Sequence, residues 1–140
     1  MTRKTLLVLA LSMVSLMWAC SRSQSDATWT PVPLSKPVDP WFEEQIGDTK
    51  TPVLIDFTAT WCPPCQEMKP DIHKLEAAYG SRLKVVEVDI DERGNLASHF
   101  EVGAIPHLML LKNGQIVNRS VGGRDYSDLL KFVEAACGQP

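Results

Sequence analysis

The apolar positions of this chain change period several times, and each change marks a candidate element. Pro52-Val53-Leu54-Ile55-Asp56-Phe57 is a near-continuous apolar run broken by one acid, the pattern of a strand buried on both faces. After Cys62 the spacing turns helical, with Met68, Ile72, Leu75 and Ala78 in register, Pro70 as a kink and Gly80 as the stop. Leu83 to Ile90 alternates and is rich in β-branched residues, predicting a second strand, and Leu108 to Leu111 predicts a third. Asn113-Gly114 is a hairpin turn leading into Gln115 to Val121. Asp125 to Ala136 closes as an amphipathic helix, with Leu129, Leu130, Phe132 and Val133 inward and Gly138 after it. Shorter helical segments are predicted at Trp41 to Ile46 and Leu96 to Phe100. The order implies an α/β domain whose mixed sheet is covered by helices on both faces. No internal repeat is visible.

Upstream the pattern is of another kind. Arg3 and Lys4 precede an apolar stretch from Leu6 to Trp18 interrupted only by Ser12 and Ser15, which reads as an export signal and is shorter than the roughly 20 residues a membrane span needs. It ends at Ala19-Cys20, which resembles the lipobox of bacterial lipoproteins, where the cysteine is lipidated and becomes the new N-terminus; Met17 and Trp18 depart from that pattern, and ordinary cleavage or an uncleaved anchor is the alternative. Lipidated Cys20 would hold the protein to a membrane, each buried CH₂ contributing about 0.8 kcal/mol. Residues 21–40 hold four serines and four prolines and read as a tether, with Trp29 packed loosely on domain or membrane. The expected organisation is a signal segment at 1–19, a lipidated N-terminus and tether at 20–40 and one domain at 41–140. The expected location is the periplasmic side of a bacterial cell envelope.

Composition sharpens this only at two points. Loss of residues 1–19 removes Arg3 and Lys4 and takes the formal charge from −3 to −5, which argues against a nucleic-acid partner. Export also changes the meaning of the four cysteines, since a disulfide persists outside the cytosol unless something reduces it. With Cys20 taken by lipid, Cys62 and Cys65 pair and Cys137 is left over, read as a small buried hydrophobe.

Trp61-Cys62-Pro63-Pro64-Cys65 lies where the strand pattern gives way to the helix pattern, so two thiols one turn apart can close and reopen by exchange. A static bridge and a zinc half-site are the alternatives, the second lacking another CxxC or HxxxH. Together with Asp56-Phe57, Pro70, Ile105-Pro106, Lys112-Asn113-Gly114 and Val121-Gly122, this motif makes residues 41–137 resemble thioredoxin along nearly their whole length.

The resemblance implies roles for particular residues. Cys62, at a helix N-terminus that favours thiolate, is the nucleophile and the more exposed cysteine; Cys65 resolves the mixed disulfide. Pro63 and Pro64 offer no N–H to that sulfur, so the pair is expected nearer thioredoxin at about −270 mV than the oxidant DsbA at about −120 mV. Asp56 assists proton transfer at the second cysteine, an inert hydrogen-bonded carboxylate being the alternative. Where many thioredoxins place a lysine near this aspartate, the aligned residue is Glu87; either it points elsewhere or two carboxyls share a region. Pro106 is expected in cis facing the cysteines, and Trp61, Pro63, Pro64, Ile105, Val121 and Gly122 border a shallow groove for an extended substrate. The alternative for Trp61 is core filler. His107 is a packed residue or a tuner of the thiols, and His73 and His99 are surface residues.

The function these residues imply is a membrane-tethered thiol:disulfide oxidoreductase that reduces exported proteins. It is also similar to the TlpA/ResA-type reductases, without the insertion they carry. The rivals are an oxidant or isomerase, a Cu(I)-carrying module using Cys62, Cys65 and His107, and a scaffold that only binds. Expected partners are protein disulfide substrates, a dithiol electron donor for which a transmembrane protein is the candidate, and the membrane itself. No cofactor or metal is implied, and a monomer is expected.

Overall fold

The computed structural model describes residues 32–34 and 39–140; the segment expected to be a signal, Cys20 and Trp29 lie outside them. The elements run β1 (Val32–Pro33), α1 (Pro40–Ile46), β2 (Val53–Thr58), α2 (Pro63–Tyr79), a 3-10 turn (Gly80–Arg82), β3 (Lys84–Asp89), α3 (Gly94–His99), β4 (His107–Lys112), β5 (Gln115–Val121) and α4 (Tyr126–Cys137). The sheet order is β1-β5-β4-β2-β3. Only β2 and β3 run parallel, joined by the α2 crossover, while the other neighbours are antiparallel.

β2 shows why a near-continuous apolar run was needed. It is central and buried at every position, so alternate side chains feed two cores. Val53, Ile55 and Phe57 join Phe42 and Ile46 of α1, Val86 and Val88 of β3, Leu96 and Phe100, Met109 and Leu111 in one layer. Leu54 joins Met68, Ile72, Leu75 and Tyr79 of α2, Leu108 and Leu110 of β4, and Leu129, Phe132 and Val133 of α4 in the other. Asp56 shares its parity with Leu54, so it faces the α2 layer.

α2 begins where Pro63 and Pro64 occupy its first turn, positions whose N–H would have no helical partner. It continues through Pro70 as one 17-residue helix and stops at Gly80, whose φ of 54° suits a residue without a side chain. α1 and α4 are capped by Asp39 and Asp125, whose carboxylates accept backbone N–H groups that the first turn leaves without a helical partner.

One boundary differs from the sequence reading. Val32 and Pro33, assigned above to the tether, pair with Ile116 and Gln115, and Leu34 packs on the α1 layer while its N–H donates to Gly114 O at 3.0 Å. The domain therefore begins before residue 41. Pro33 is tolerated because an edge strand leaves one side unpaired.

Candidate active site

Cys62 caps α2 from an extended conformation, and its sulfur is bonded to that of Cys65, one turn along, with the two Cα atoms 5.3 Å apart. Cys62 keeps 4% of its surface exposed and Cys65 none, the expected order of access. Ala59, Ile90 and Ile105 pack around the pair. Ala59 O ties down the approach to the helix, accepting Cys62 N–H at 3.3 Å and the Gln66 side-chain amide at 2.9 Å.

The Ile105–Pro106 peptide is cis, as the resemblance implied. Pro106 O accepts Gly122 N–H at 2.8 Å, which holds the cis loop against the end of β5. Gly122 has a φ of 94°, open to glycine and costly for other residues. Pro63 and Pro64 are exposed and Ile105 and Gly122 partly exposed beside them. Trp61 and Val121 are the large hydrophobics most exposed among the described residues, at 62% and 58%. Trp61 is thus no core filler. Its indole N–H donates to Asp91 Oδ2 at 2.6 Å, a partner the sequence reading did not single out.

Asp56 is wholly buried and neither carboxylate oxygen has a hydrogen-bond partner. Burial, assisted by the negative charge of Glu87 and opposed by Lys69, pushes its pKa from 3.8 to about 7. No protein group supplies the hydrogen bond that an inert, hydrogen-bonded carboxylate would rest on. Glu87 does not point elsewhere: it is the register partner of Asp56 on β3 and accepts from Lys69 Nζ at 2.8 Å, with His73 Nε2 3.5 Å from its other oxygen. Lys69 was also missed, although its spacing from Cys65 puts it one turn below on α2.

His107 lies in the other layer, its ring edge-on to Phe57 at 6.1 Å, with both nitrogens unpartnered and its pKa lowered by burial and by Arg119. His73 and His99 are exposed, His99 edge-on to Phe100. Cys137 is half-buried at the end of α4, and burial raises its thiol pKa. Among the described residues no three His, Cys, Asp or Glu side chains cluster as a metal set, and no helix is long and apolar enough to cross a membrane.

With this geometry in view, the comparisons are decisive. The thioredoxin family model matches residues 34–135. The chain belongs to the thioredoxin family. It is 35% identical over 99 residues to the mitochondrial thioredoxin of Mus musculus, covering 71% of this chain and 60% of that protein, and so spans less than two thirds of that relative. It is 38% identical over 96 residues to a thioredoxin of Synechocystis sp., covering 69% of this chain and 90% of that one. Among solved structures, oxidised mitochondrial thioredoxin 3 of Saccharomyces cerevisiae superimposes with a TM-score of 0.61 at 35% identity, covering 68% of this thioredoxin-family chain and 87% of the yeast one. The match begins at residue 34, which agrees with Leu34 being part of the packed domain.

Proposed function

We propose that this chain is a thiol:disulfide oxidoreductase that reduces protein disulfides through Cys62 and Cys65. The observation that carries the reading is a disulfide at the N-terminus of α2, with a buried carboxyl that no protein group hydrogen-bonds on the face of β2 that α2 covers.

In the reduced protein the Cys62 thiolate attacks one sulfur of a substrate disulfide, and the departing substrate sulfur takes a proton from solvent. The Cys65 thiol then gives its proton to the Asp56 carboxylate and attacks Cys62 Sγ, releasing the second substrate sulfur. The products are the Cys62–Cys65 disulfide and a substrate dithiol. Recharging reverses the order: a donor thiolate opens the bond at Cys62 and Cys65 leaves, taking the proton back from Asp56. With a pKa of about 7, Asp56 can serve in both directions near neutral pH.

Trp61, Ile105, Val121 and Gly122 form the apolar rim on which an extended substrate would lie, Pro106 presenting backbone to it. The reducing direction rests on Pro63 and Pro64, which deny the Cys62 sulfur two backbone donors and leave its thiolate only moderately stabilised. The oxidant or isomerase reading requires the opposite.

The substrates are exported proteins, the electron donor is a second dithiol protein in the membrane, and the domain is held to the periplasmic face of a membrane by lipidated Cys20. The support for this is the charged-then-apolar leader ending at Ala19-Cys20 and the Ser/Pro-rich stretch after it. Two assays test the reading. Turbidimetric insulin reduction with dithiothreitol should be accelerated by the protein and lost in Cys62→Ser; equal rates contradict the activity. Radiolabelled palmitate should enter the full chain and not Cys20→Ala; equal labelling contradicts the anchor.

A further inference from the structure

The buried acid of β2 does not stand alone. Asp56 and Glu87 are register partners on the parallel pair β2–β3, so both carboxyls project toward α2. On α2, Cys65, Lys69 and His73 follow one another at single-turn spacing, making a stripe above that patch of sheet. Lys69 Nζ is 2.8 Å from Glu87 Oε2, and His73 Nε2 is 3.5 Å from Oε1. No protein group donates a hydrogen bond to Asp56 itself.

We propose that the Lys69–Glu87 ion pair is a charge gate for Asp56, a positioning pair that governs how readily the buried carboxyl gives up and takes back the proton it exchanges with Cys65. The proposal rests on the oxidoreductase reading of Cys62 and Cys65.

A structural role explains the pair poorly. With side chains 30% and 35% exposed it is screened by solvent, and such pairs contribute at most about 1 kcal/mol to stability. Its action on a dehydrated carboxyl is felt through a less polarisable medium and is correspondingly stronger. The two partners act on Asp56 with opposite signs, Glu87 holding the proton on and Lys69 drawing it off. Glu87 does a second thing: by engaging Lys69, it keeps the ammonium from serving Asp56 alone.

The other neighbours leave this pair in command. β4 presents apolar Leu108 opposite Asp56, and Thr58, two residues on, is uncharged. α4 packs Leu129, Phe132 and Val133 into the layer, with Tyr126 and Cys137 at its edge. Beyond Glu87 on β3, Asp89 shares its face and acts on Lys69.

Three variants separate a charge effect from a packing effect: Glu87→Gln, Lys69→Met, and the double exchange Lys69→Glu with Glu87→Lys, which keeps an ion pair and inverts its direction. The readouts are the carbon-13 NMR titration of the Asp56 carboxyl, identified by its absence in Asp56→Asn, and the pH profile of the oxidised protein's reduction by dithiothreitol, normalised to dithiothreitol thiolate. Glu87→Gln should move both midpoints to lower pH, Lys69→Met to higher pH, and the exchange to lower pH, each by roughly half a unit or more. Midpoints within about 0.2 unit of the parent protein in all three, or an exchanged pair that restores the parent profile, overturn the proposal. Failure of the parent to reduce any disulfide strikes the oxidoreductase reading instead, and the carboxyl titration still decides the gate.

Discussion

The indole N–H of Trp61 donates to Asp91 Oδ2 at 2.6 Å, fixing the most exposed aromatic ring of the described residues beside the disulfide. An exposed ring has no packing to hold it, so this one contact decides where the apolar rim lies. A hydrogen bond to a charged group contributes about 1.5–3 kcal/mol when shielded and less here, in water. Asp91→Ala should therefore raise KM for insulin by roughly three- to ten-fold while leaving reduction by the small dithiothreitol nearly unchanged. Equal loss on both would place Asp91 in the chemistry rather than the groove.

The buried acid predicts an unusual pH dependence of stability. Folded Asp56 titrates at about 7 and the unfolded residue near 3.8, so between those values the folded chain binds more protons. Its contribution is most favourable below about pH 4, declines as pH rises through that window, and levels off above 7. Asp56→Asn removes the decline: urea unfolding should find it more stable than the parent at pH 8, by at most about 4 kcal/mol, with the difference shrinking toward pH 4. A constant difference across pH would contradict the assignment. The same variant should slow dithiol exchange.

Pro63 and Pro64 predict a reducing couple. Equilibration with glutathione buffers should give a potential below about −200 mV, and a value above about −180 mV would move the protein toward the oxidants. Replacing both prolines with alanine restores two N–H donors near the Cys62 sulfur, so the potential should rise by on the order of 10–30 mV.

A chain starting at residue 32 should be measurably more heat-stable than one starting at residue 35. The second loses the β1 pairing to Ile116 and Gln115, the Leu34 contact with the α1 layer and its bond to Gly114 O. Equal melting temperatures would return residues 32–34 to the tether.

What the sequence revealed and what it hid follow from range. β2, α2 and α4 were legible because period and punctuation are local: an apolar run for a two-faced strand, Gly80 and Gly138 as stops. The cysteine pair was legible in its own spacing, and the cis proline only through the resemblance to thioredoxin. β1 was not, because two residues, the second a proline and the first preceded by one, carry no alternation and pair only with β5. Asp91 lies 30 residues from Trp61 and Glu87 18 from Lys69, so nothing local announces either contact. Glu87 shows the limit most clearly. The resemblance put it near an acid or pointing elsewhere, and gave no sign that a lysine from α2 comes to meet it.

The most direct test of the central claim traps the intermediate. Cys65→Ala, reduced and mixed with oxidised insulin, should accumulate a covalent adduct joined through Cys62 that dithiothreitol releases, while Cys62→Ala should form none under the same conditions. If the adduct forms through Cys65, or if neither variant captures substrate, Cys62 is not the attacking sulfur and the dithiol mechanism fails.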